Sequence, residues 1–264
     1  MAPPASWGYR LFQLMRPVSL ATGALVALAA GCAARASHAG TGWTAPVAAG
    51  PTAAAAPEAG ETPAARYAQL DRSACEAELV RRGIPFSPAE ARGVLAPVRL
   101  AGPLHGVTFR TALPASQRAS SPWEIVDCRL ALSLDDFAAQ LATHDVVEVV
   151  HYSMYRPPPA RWPTEKIASR HLGGLAIDAA SFVKRDGHTL DVQRDFHGRI
   201  GARTCGPGTM PAHPRPEASE LRQIVCDAAD AKLFNVELTP DYNWAHRNHF
   251  HLEVTAGVRW FLVH

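Results

Sequence analysis

Two short segments of this 264-residue chain combine the residue types that bind metal ions. They are Ser169-Arg170-His171-Leu172-Gly173-Gly174-Leu175-Ala176-Ile177-Asp178 and His246-Arg247-Asn248-His249-Phe250-His251-Leu252-Glu253. Three histidines within six positions are unusual for a chain that has 12 histidines in 264 residues. Neutral imidazoles and one carboxylate form a zinc-binding set, and three protein ligands leave a fourth position for water. The two segments therefore predict a zinc site of the catalytic kind.

The local sequence indicates how these side chains are positioned. On an extended strand His249 and His251 project to the same face, because side chains alternate along a strand. His171 precedes two glycines at the start of an apolar strand that carries Asp178. A carboxylate among alanine and isoleucine side chains is costly to bury without a metal or a cation beside it. A single histidine at a strand end is more often a hydrogen-bonded structural residue, so the combination of both segments favours the metal site.

The order of these residues resembles a known group of zinc enzymes. The pattern Ser-x-His-x-x-Gly-x-Ala-x-Asp, followed by His-x-His, resembles the zinc D,D-peptidases and D-alanyl-D-alanine carboxypeptidases of the peptidase M15 group. That superfamily also includes murein endopeptidases and the Hedgehog signalling domain. The ending Asn243-Trp244-Ala245-His246-Arg247-Asn248-His249-Phe250-His251-Leu252 is similar to its bacterial extensin-like C-terminal branch. The resemblance implies an α+β fold of the Hedgehog/D,D-peptidase type, with a small antiparallel sheet flanked by helices.

The resemblance also implies roles for individual residues. Its implied zinc ligands are His171, Asp178 and His251. His249 takes the place of a base or transition-state donor, and His246 is the additional histidine of endopeptidase-like endings. Arg156 falls where such enzymes carry an arginine that contacts a substrate carbonyl or carboxylate. Many relatives have a catalytic Glu or Asp where this chain has Asn248, which cannot act as a base, so proton transfer is expected at His249. Asp241 and Glu253 are either partners of the histidine rings or solvated surface charges.

These roles predict an exported zinc-dependent peptidase or amidase-type hydrolase that acts on peptidoglycan peptides. The main alternative is a non-catalytic, zinc-containing lipoprotein that binds the cell wall. A second alternative is an Fe(II) oxygenase, because two histidines and one carboxylate also suit that metal. The close His-x-Asp pair that is usual in such oxygenases is absent, and an export signal separates the chain from cytosolic iron.

The composition excludes some function classes. The formal net charge is +2, so no field for a polyanion is apparent and nucleic acid is a poor first guess. Hydrophobic residues make up 47% of the chain and charged residues 19%, and the apolar surplus is mostly alanine. No run of 18 or more apolar residues occurs, which argues against a multi-span membrane protein.

The first residues have the composition of an export signal. Residues 1–31 contain Arg10 and Arg16 but no acid, and an apolar run follows over 18–30. The small residues before Cys32 resemble a bacterial lipobox, which predicts a lipid anchor on Cys32 and a position at the periplasmic face of a bacterial cell envelope. Ordinary secretory cleavage near the same point is the alternative.

The rest of the chain divides into a tether and one domain. Residues 32–66 are rich in alanine and proline without periodicity, and predict a disordered tether. Residues 67–264 form the predicted zinc domain. Its predicted helices begin with Ser73, Ser133 and Ser219, and its strands lie over 94–100, 106–112, 146–152, 175–183, 188–192 and 249–254. Helices and strands are mixed with little regular alternation, which favours the α+β class.

The cysteine count suggests two disulfides. Apart from Cys32 the chain has Cys75, Cys128, Cys205 and Cys226, and an even number in an exported protein suggests two bridges. Three pairings are possible, and we favour Cys75–Cys128 with Cys205–Cys226, which keeps each bridge within its own half of the domain. A zinc site of four cysteines is the alternative, but no Cys-x-x-Cys pair supports it.

Overall fold

The computed structural model describes residues 62–210 and 212–264. The helices are α1 (Pro63–Ala68), α2 (Arg72–Arg81), α3 (Ala115–Arg118), α4 (Cys128–Thr143), α5 (Val192–Asp195) and α6 (Pro216–Asp230). The strands are β1 (Phe86–Pro88), β2 (Pro97–Leu100), β3 (Thr108–Thr111), β4 (Ile125–Asp127), β5 (Val146–His151), β6 (Ala176–Lys184), β7 (Thr189–Asp191), β8 (Val236–Leu238), β9 (Phe250–Glu253) and β10 (Leu262–Val263). Three-residue or four-residue 3-10 turns lie at Pro122–Glu124, Arg170–Gly173 and Trp244–His246.

Several predictions concern residues outside this part of the chain. The signal over 1–31, the lipid site at Cys32 and the tether over 32–61 all lie outside the described residues. Helix α1 begins at Pro63, so ordered structure starts before Tyr67 and the tether boundary predicted at residue 66 is corrected. Within the described residues, no helix has the length and apolar content needed to cross a membrane.

The larger sheet has seven strands and carries the candidate site. Its order is β10-β8-β9-β6-β5-β3, and β7 pairs with β6. The α+β class is confirmed, but the sheet is mixed rather than small and antiparallel, because β3 pairs parallel to β5 and β10 parallel to β8. The β3–β5 connection passes through α4, and a crossover of that length is what a parallel pair requires. A separate antiparallel sheet has the order β1-β2-β4.

The hairpin predicted around Asp186 and Gly187 is confirmed. Strands β6 and β7 pair antiparallel, with Phe182 opposite Leu190. The Asp186 side chain accepts a hydrogen bond from the backbone N–H of His188, and Gly187 has a φ of 88°, which suits a tight turn. The hairpin fixes the outer end of β6, the strand that also carries Asp178.

The two long helices bury the faces that their periodicity predicts, but their start points differ. Leu134, Phe137 and Leu141 of α4 are buried, as are Leu221 and Ile224 of α6. The residue before α4 is Asp127, whose side chain accepts a hydrogen bond from Arg129 N–H, and Asp71 caps α2 in the same way through Ala74 N–H. Aspartates therefore replace the predicted serine caps, and α6 begins at Pro216, a residue suited to a first helical turn.

Aromatic rings form the centre of the core beneath the sheet. Phe137 of α4 makes edge-on contacts with Phe182 and Phe234, at centroid distances of 6.5 and 5.5 Å. Phe250 of β9 contacts Phe182 and Phe196. Because neighbours along a strand point to opposite faces, packing Phe250 into the core turns the residues on either side of it away from the core.

Both favoured disulfides are present. Cys75–Cys128 joins α2 to the start of α4, and Cys205–Cys226 joins a loop to α6. The two bridges close loops with sequence separations of 53 and 21 residues. Each bridge therefore ties a less regular segment to one of the two long helices.

Candidate metal centre

Strands β6 and β9 bring Asp178 and His251 together. The two strands pair antiparallel, and Asp178 lies directly opposite His251 in the register. Opposed residues of an antiparallel pair share one face of the sheet, so the carboxylate and the imidazole meet without any loop rearrangement. Both residues are buried, at 2% and 7% exposure.

His171 reaches the same point from a 3-10 turn before β6. Gly173 and Gly174 allow the backbone to pass close to Ala168 and Asp127 as it enters β6. A Cβ on Gly173 would lie 2.2 Å from the carbonyl oxygen of Ala168, and one on Gly174 would lie 2.9 Å from the backbone nitrogen of Asp127. Gly174 also has a φ of 64°, in the left-handed region that glycine tolerates best. The glycine pair therefore holds His171 at the edge of the cleft.

The three predicted ligands converge on one point. His171 Nε2 lies 3.0 Å from Asp178 Oδ1, and His251 Nδ1 lies 3.1 Å from the same oxygen. The two ring nitrogens are 3.2 Å apart. These residues are the group of three that could hold a metal ion among the described residues. The sequence-predicted ligand set is therefore brought together.

Neighbouring acceptors determine which ring nitrogen of each histidine carries the proton and which one presents a lone pair to the cluster. His171 Nδ1 lies 3.3 Å from the backbone carbonyl of Met154, and His251 Nε2 lies 3.1 Å from Glu253 Oε2. A carbonyl and a carboxylate only accept hydrogen bonds, so these two nitrogens carry the protons. The remaining nitrogens then present lone pairs to each other and to the Asp178 carboxylate. Three lone pairs at this spacing repel unless a cation lies among them.

The electrostatics of the cluster favour positive charge at this point. Burial alone would raise the pKa of Asp178, but the rings of His171, His249 and His251, which donate to its carboxylate when they are protonated, hold it well below its ordinary value. Burial lowers the pKa of His251, yet Asp178 and Glu253 together raise it above its ordinary value. The cleft therefore stabilises a cation next to an ionised Asp178. A bound metal ion serves this purpose without placing two imidazolium groups side by side.

Arg156 lies at the mouth of the cluster. Its Nη2 contacts Asp178 Oδ2, and its Nε donates to Ser153 Oγ at 2.9 Å. The two carboxylate oxygens of Asp178 therefore have different neighbours: Oδ1 faces the histidines and Oδ2 faces Arg156. The Arg156 side chain is 52% exposed, so its guanidinium is also accessible to a bound molecule.

His249 lies beside the three ligands and has its own partner. Its Nε2 is 3.3 Å from Asp178 Oδ1, while its Nδ1 donates to Asn248 Oδ1 at 2.9 Å. Asn248 in turn donates to the hydroxyl of Tyr152 at 3.0 Å, and the Tyr152 ring packs edge-on against His249. Asn248, although it is no base, therefore leaves the Nε2 of a neutral His249 free to accept a proton.

His246 completes the histidine group from the 3-10 turn before β9. Asn243 caps that turn, and its Oδ1 accepts hydrogen bonds from the backbone N–H of Ala245 and from His246 Nδ1, both at 2.9 Å. The His246 ring contacts the rings of His249 and His251. Burial and then the neighbouring histidines lower the pKa of His246 to about 4, so it is neutral at pH 7.

These residues line an open cleft of about 530 Å³. Arg170 also lines it, although nothing in the sequence distinguished this arginine from others. Its side chain is 75% exposed, and its Nε lies 3.6 Å from Glu253 Oε2. Tyr152 is a second residue that no sequence pattern marked, because its position depends on how β5 ends beside the cluster. The cleft therefore presents two exposed guanidinium groups, Arg156 and Arg170, next to the metal ligands.

Only one of the two acidic candidates is a histidine partner. Glu253 accepts from His251, and hydrogen bonds from His251 and Thr255 outweigh the effect of burial and lower its pKa. Asp241 is instead buried in a separate network, where Oδ2 accepts from Arg222 at 2.9 Å and Oδ1 from Arg199 N–H at 2.6 Å. Asp241 therefore holds α6 to the segment before β9, so it is neither a partner of the histidine rings nor a solvated surface charge.

An α+β domain with a buried cluster of two histidines and one aspartate defines a class of candidate metalloproteins. The sequence profile of the family described as extensin-like protein C-terminus matches residues 73–262, and the chain belongs to that family. No curated protein and no solved structure matches the chain significantly. The extensin-like resemblance of the sequence is thereby confirmed.

Proposed function

We propose that this protein is an exported zinc-dependent hydrolase that cleaves peptide or amide bonds in peptidoglycan peptides, as a D,D-carboxypeptidase or an endopeptidase. We also propose that its domain has the Hedgehog/D,D-peptidase-type fold and belongs to the M15 superfamily. One observation carries the proposal: His171, Asp178 and His251 converge with lone pairs directed at one another, and Met154 and Glu253 fix both rings in that orientation.

The donor set suits zinc. Tetrahedral nitrogen and oxygen ligands at about 2.0–2.1 Å from zinc lie about 3.3–3.4 Å apart. The three donor atoms are 3.0–3.2 Å apart, so small side-chain adjustments accommodate the ion. When bound, zinc supplies Lewis-acid chemistry, the polarisation of a carbonyl group and the acidification of water.

The other residues of the cleft supply proton transfer and substrate orientation. His249 Nε2 faces the cluster and accepts or delivers a proton there, while Asn248 holds its ring in position. Arg156 and Arg170 offer guanidinium groups to a carbonyl oxygen or to a carboxylate of the substrate. Stem peptides of peptidoglycan carry both groups, and an open cleft of about 530 Å³ admits such a chain.

The proposed location is consistent with the covalent structure. Two disulfides suit an oxidising compartment such as the periplasm. A lipid anchor on Cys32 and a tether would hold the domain at the periplasmic face of a bacterial envelope, within reach of the cell wall. We therefore propose peptidoglycan peptides as the substrate and the membrane as the attachment surface.

Digestion of purified sacculi tests the proposed activity. Zinc-loaded protein, chelated protein, His249→Ala and the matched control His213→Ala are each incubated with sacculi, and the released muropeptides are identified by mass spectrometry. His213 is an exposed histidine outside the cleft, so its variant is expected to be as active as the wild type. Only zinc-loaded wild type and His213→Ala should release cleaved peptides. Absence of release under every metal condition would favour the non-catalytic wall-binding function instead.

A further inference from the structure

A second pocket, distinct from the metal-ligand cluster, lies between the two sheets. It has a volume of about 280 Å³, and we call it the arginine pocket because Arg99, Arg110 and Arg118 line it. These residues come from β2, β3 and α3, respectively. Met154 forms part of its wall and accepts the hydrogen bond of His171 through its carbonyl, so the pocket lies beside the candidate metal centre and not within it.

The three arginines differ in how well they are partnered. Arg110 is held by Glu148 through two hydrogen bonds of 2.6 Å, and Arg118 donates to the carbonyl of Leu113 at 2.9 Å. Arg99 Nη1 is buried and has no hydrogen-bond partner among the described residues. Burial lowers the pKa of Arg99, and the charge of Glu124 offsets this only in part. Arg99 is therefore a cation with an unsatisfied donor.

The charge balance of the pocket favours an anion. Three guanidinium groups and the carboxylate of Glu124 line the pocket, and Glu148 is paired with Arg110, which leaves one surplus positive charge. Glu124 is already engaged, because its Oε1 accepts from both the hydroxyl and the backbone N–H of Thr111. A guanidinium is planar and always charged, and its paired donors match the oxygens of a carboxylate or a phosphate. Within the part of the chain that the structure describes, Arg99 Nη1 has no such oxygen acceptor.

We propose that the arginine pocket binds a compact oxyanion, a phosphate or a carboxylate group, through Arg99 and Arg118. The ligand accepts hydrogen bonds from the guanidinium groups of Arg99 and Arg118, which line the pocket, and it neutralises the surplus charge. Its size matches the pocket, since about 280 Å³ holds a phosphate ion with water or a small organic acid. This binding is independent of the proposed hydrolysis, because none of the metal ligands or of the cleft arginines lines the pocket.

Anion titrations of the full chain with its disulfides intact test the site. Inorganic phosphate and sodium acetate are added separately at constant ionic strength set with sodium chloride, and the arginine Nε–H signals are followed by NMR. At least one of the two anions should give saturable shifts, and the comparison between them identifies the source of the oxyanion. Arg99→Gln and Arg118→Gln should each weaken binding at least tenfold. Arg185→Gln, which removes an exposed arginine elsewhere, should leave the affinity unchanged.

Three outcomes would overturn the proposal. They are the absence of saturable shifts with either anion, an equal loss of affinity in Arg185→Gln, and binding that survives both pocket variants but disappears in His251→Ala. The last result would place the anion at the candidate metal centre. If Arg99→Gln fails to fold, which circular dichroism reveals, Arg118→Gln decides between support and rejection, because its side chain is half-exposed at the rim.

Discussion

Glu253 accepts a hydrogen bond from His251 Nε2 at 3.1 Å, and this contact turns His251 Nδ1 toward Asp178. The two residues lie two positions apart on β9, so both side chains project from the same face of the sheet. Glu253 is itself buried and held by Thr255, which limits its alternatives. The orientation of a proposed metal ligand is therefore built into one strand.

The first prediction concerns this orienting contact. Glu253→Gln keeps the shape of the side chain but removes its charge, and loss of such a ligand partner typically weakens metal affinity about 10–100-fold. We expect zinc affinity, measured by competition with a chromogenic chelator, to fall within that range. Glu165→Gln, a charge-matched change at an exposed position, should bind zinc as the wild type does. Equal affinities in the two variants would show that Glu253 does not orient His251.

The second prediction separates positioning from metal binding. Asn248→Ala removes the acceptor of His249 Nδ1, so the His249 ring loses its fixed orientation while the three ligands are untouched. We expect the hydrolysis rate to fall by at least about tenfold, part of the about 10²–10⁴-fold that a positioned acid or base contributes. Zinc content should stay at the wild-type level. Asn248→Asp retains an oxygen acceptor and should restore much of the rate, and failure of this rescue would contradict the positioning role.

The third prediction compares the two disulfides. Cys75–Cys128 closes a loop with a separation of 53 residues, and Cys205–Cys226 one of 21. In the chain-entropy description the longer loop stabilises more, by about 0.8 kcal/mol for this pair of loop lengths. Urea unfolding of Cys75→Ala/Cys128→Ala should therefore show the larger loss of unfolding free energy. A larger loss in Cys205→Ala/Cys226→Ala would indicate that residual structure or local packing outweighs loop entropy.

The fourth prediction is a pH dependence that arises from Glu237. Its carboxyl is fully buried in β8 and neither oxygen has a hydrogen-bond partner among the described residues. Burial raises the pKa of Glu237 well above 4.5, and Lys232 offsets this only partly. The folded protein therefore keeps the proton that the unfolded chain releases, and this contribution to stability is complete below pH 4.5 and is lost as pH rises toward the folded pKa.

Glu237→Gln removes this titration and provides the measurement. The unfolding free energy of the variant, relative to that of the wild type, should increase between pH 4 and pH 8. Urea unfolding at both pH values for wild type, Glu237→Gln and the exposed control Glu165→Gln gives the comparison. A difference that stays constant with pH would mean that Glu237 is already ionised in the folded protein.

Much of the fold follows from local patterns. The apolar spacing of Leu134, Phe137 and Leu141 predicts the buried face of α4, and Asp186-Gly187 predicts the β6–β7 hairpin. Helix starts are harder to predict, because Ser73 and Asp71 are both suitable caps and the extent of the first turn decides between them. Strand order is non-local: the parallel pairs that β3 and β10 make depend on long crossovers that no short pattern specifies.

The candidate site also has some residues that local sequence patterns predict and others that only tertiary packing places there. Residue types and spacing mark the two segments that contain the candidate ligands, and the family resemblance selects His171, Asp178 and His251 among them. Strand alternation also points to Glu253 as the partner of His251. Asp241 has an equally suggestive position in the sequence, but packing of α6 delivers Arg222 to it. Tyr152 and Arg170 reach the cleft through tertiary packing alone, so only the structure reveals them.

The central claim is that His171, Asp178 and His251 hold a zinc ion, and metal content tests it most directly. Wild type, His251→Ala and His249→Ala are purified after export to an oxidising compartment, equilibrated with zinc and desalted, and zinc per chain is measured by inductively coupled plasma mass spectrometry. We expect one zinc ion per chain in wild type and in His249→Ala, and almost none in His251→Ala. Equal zinc content in wild type and His251→Ala would contradict the claim.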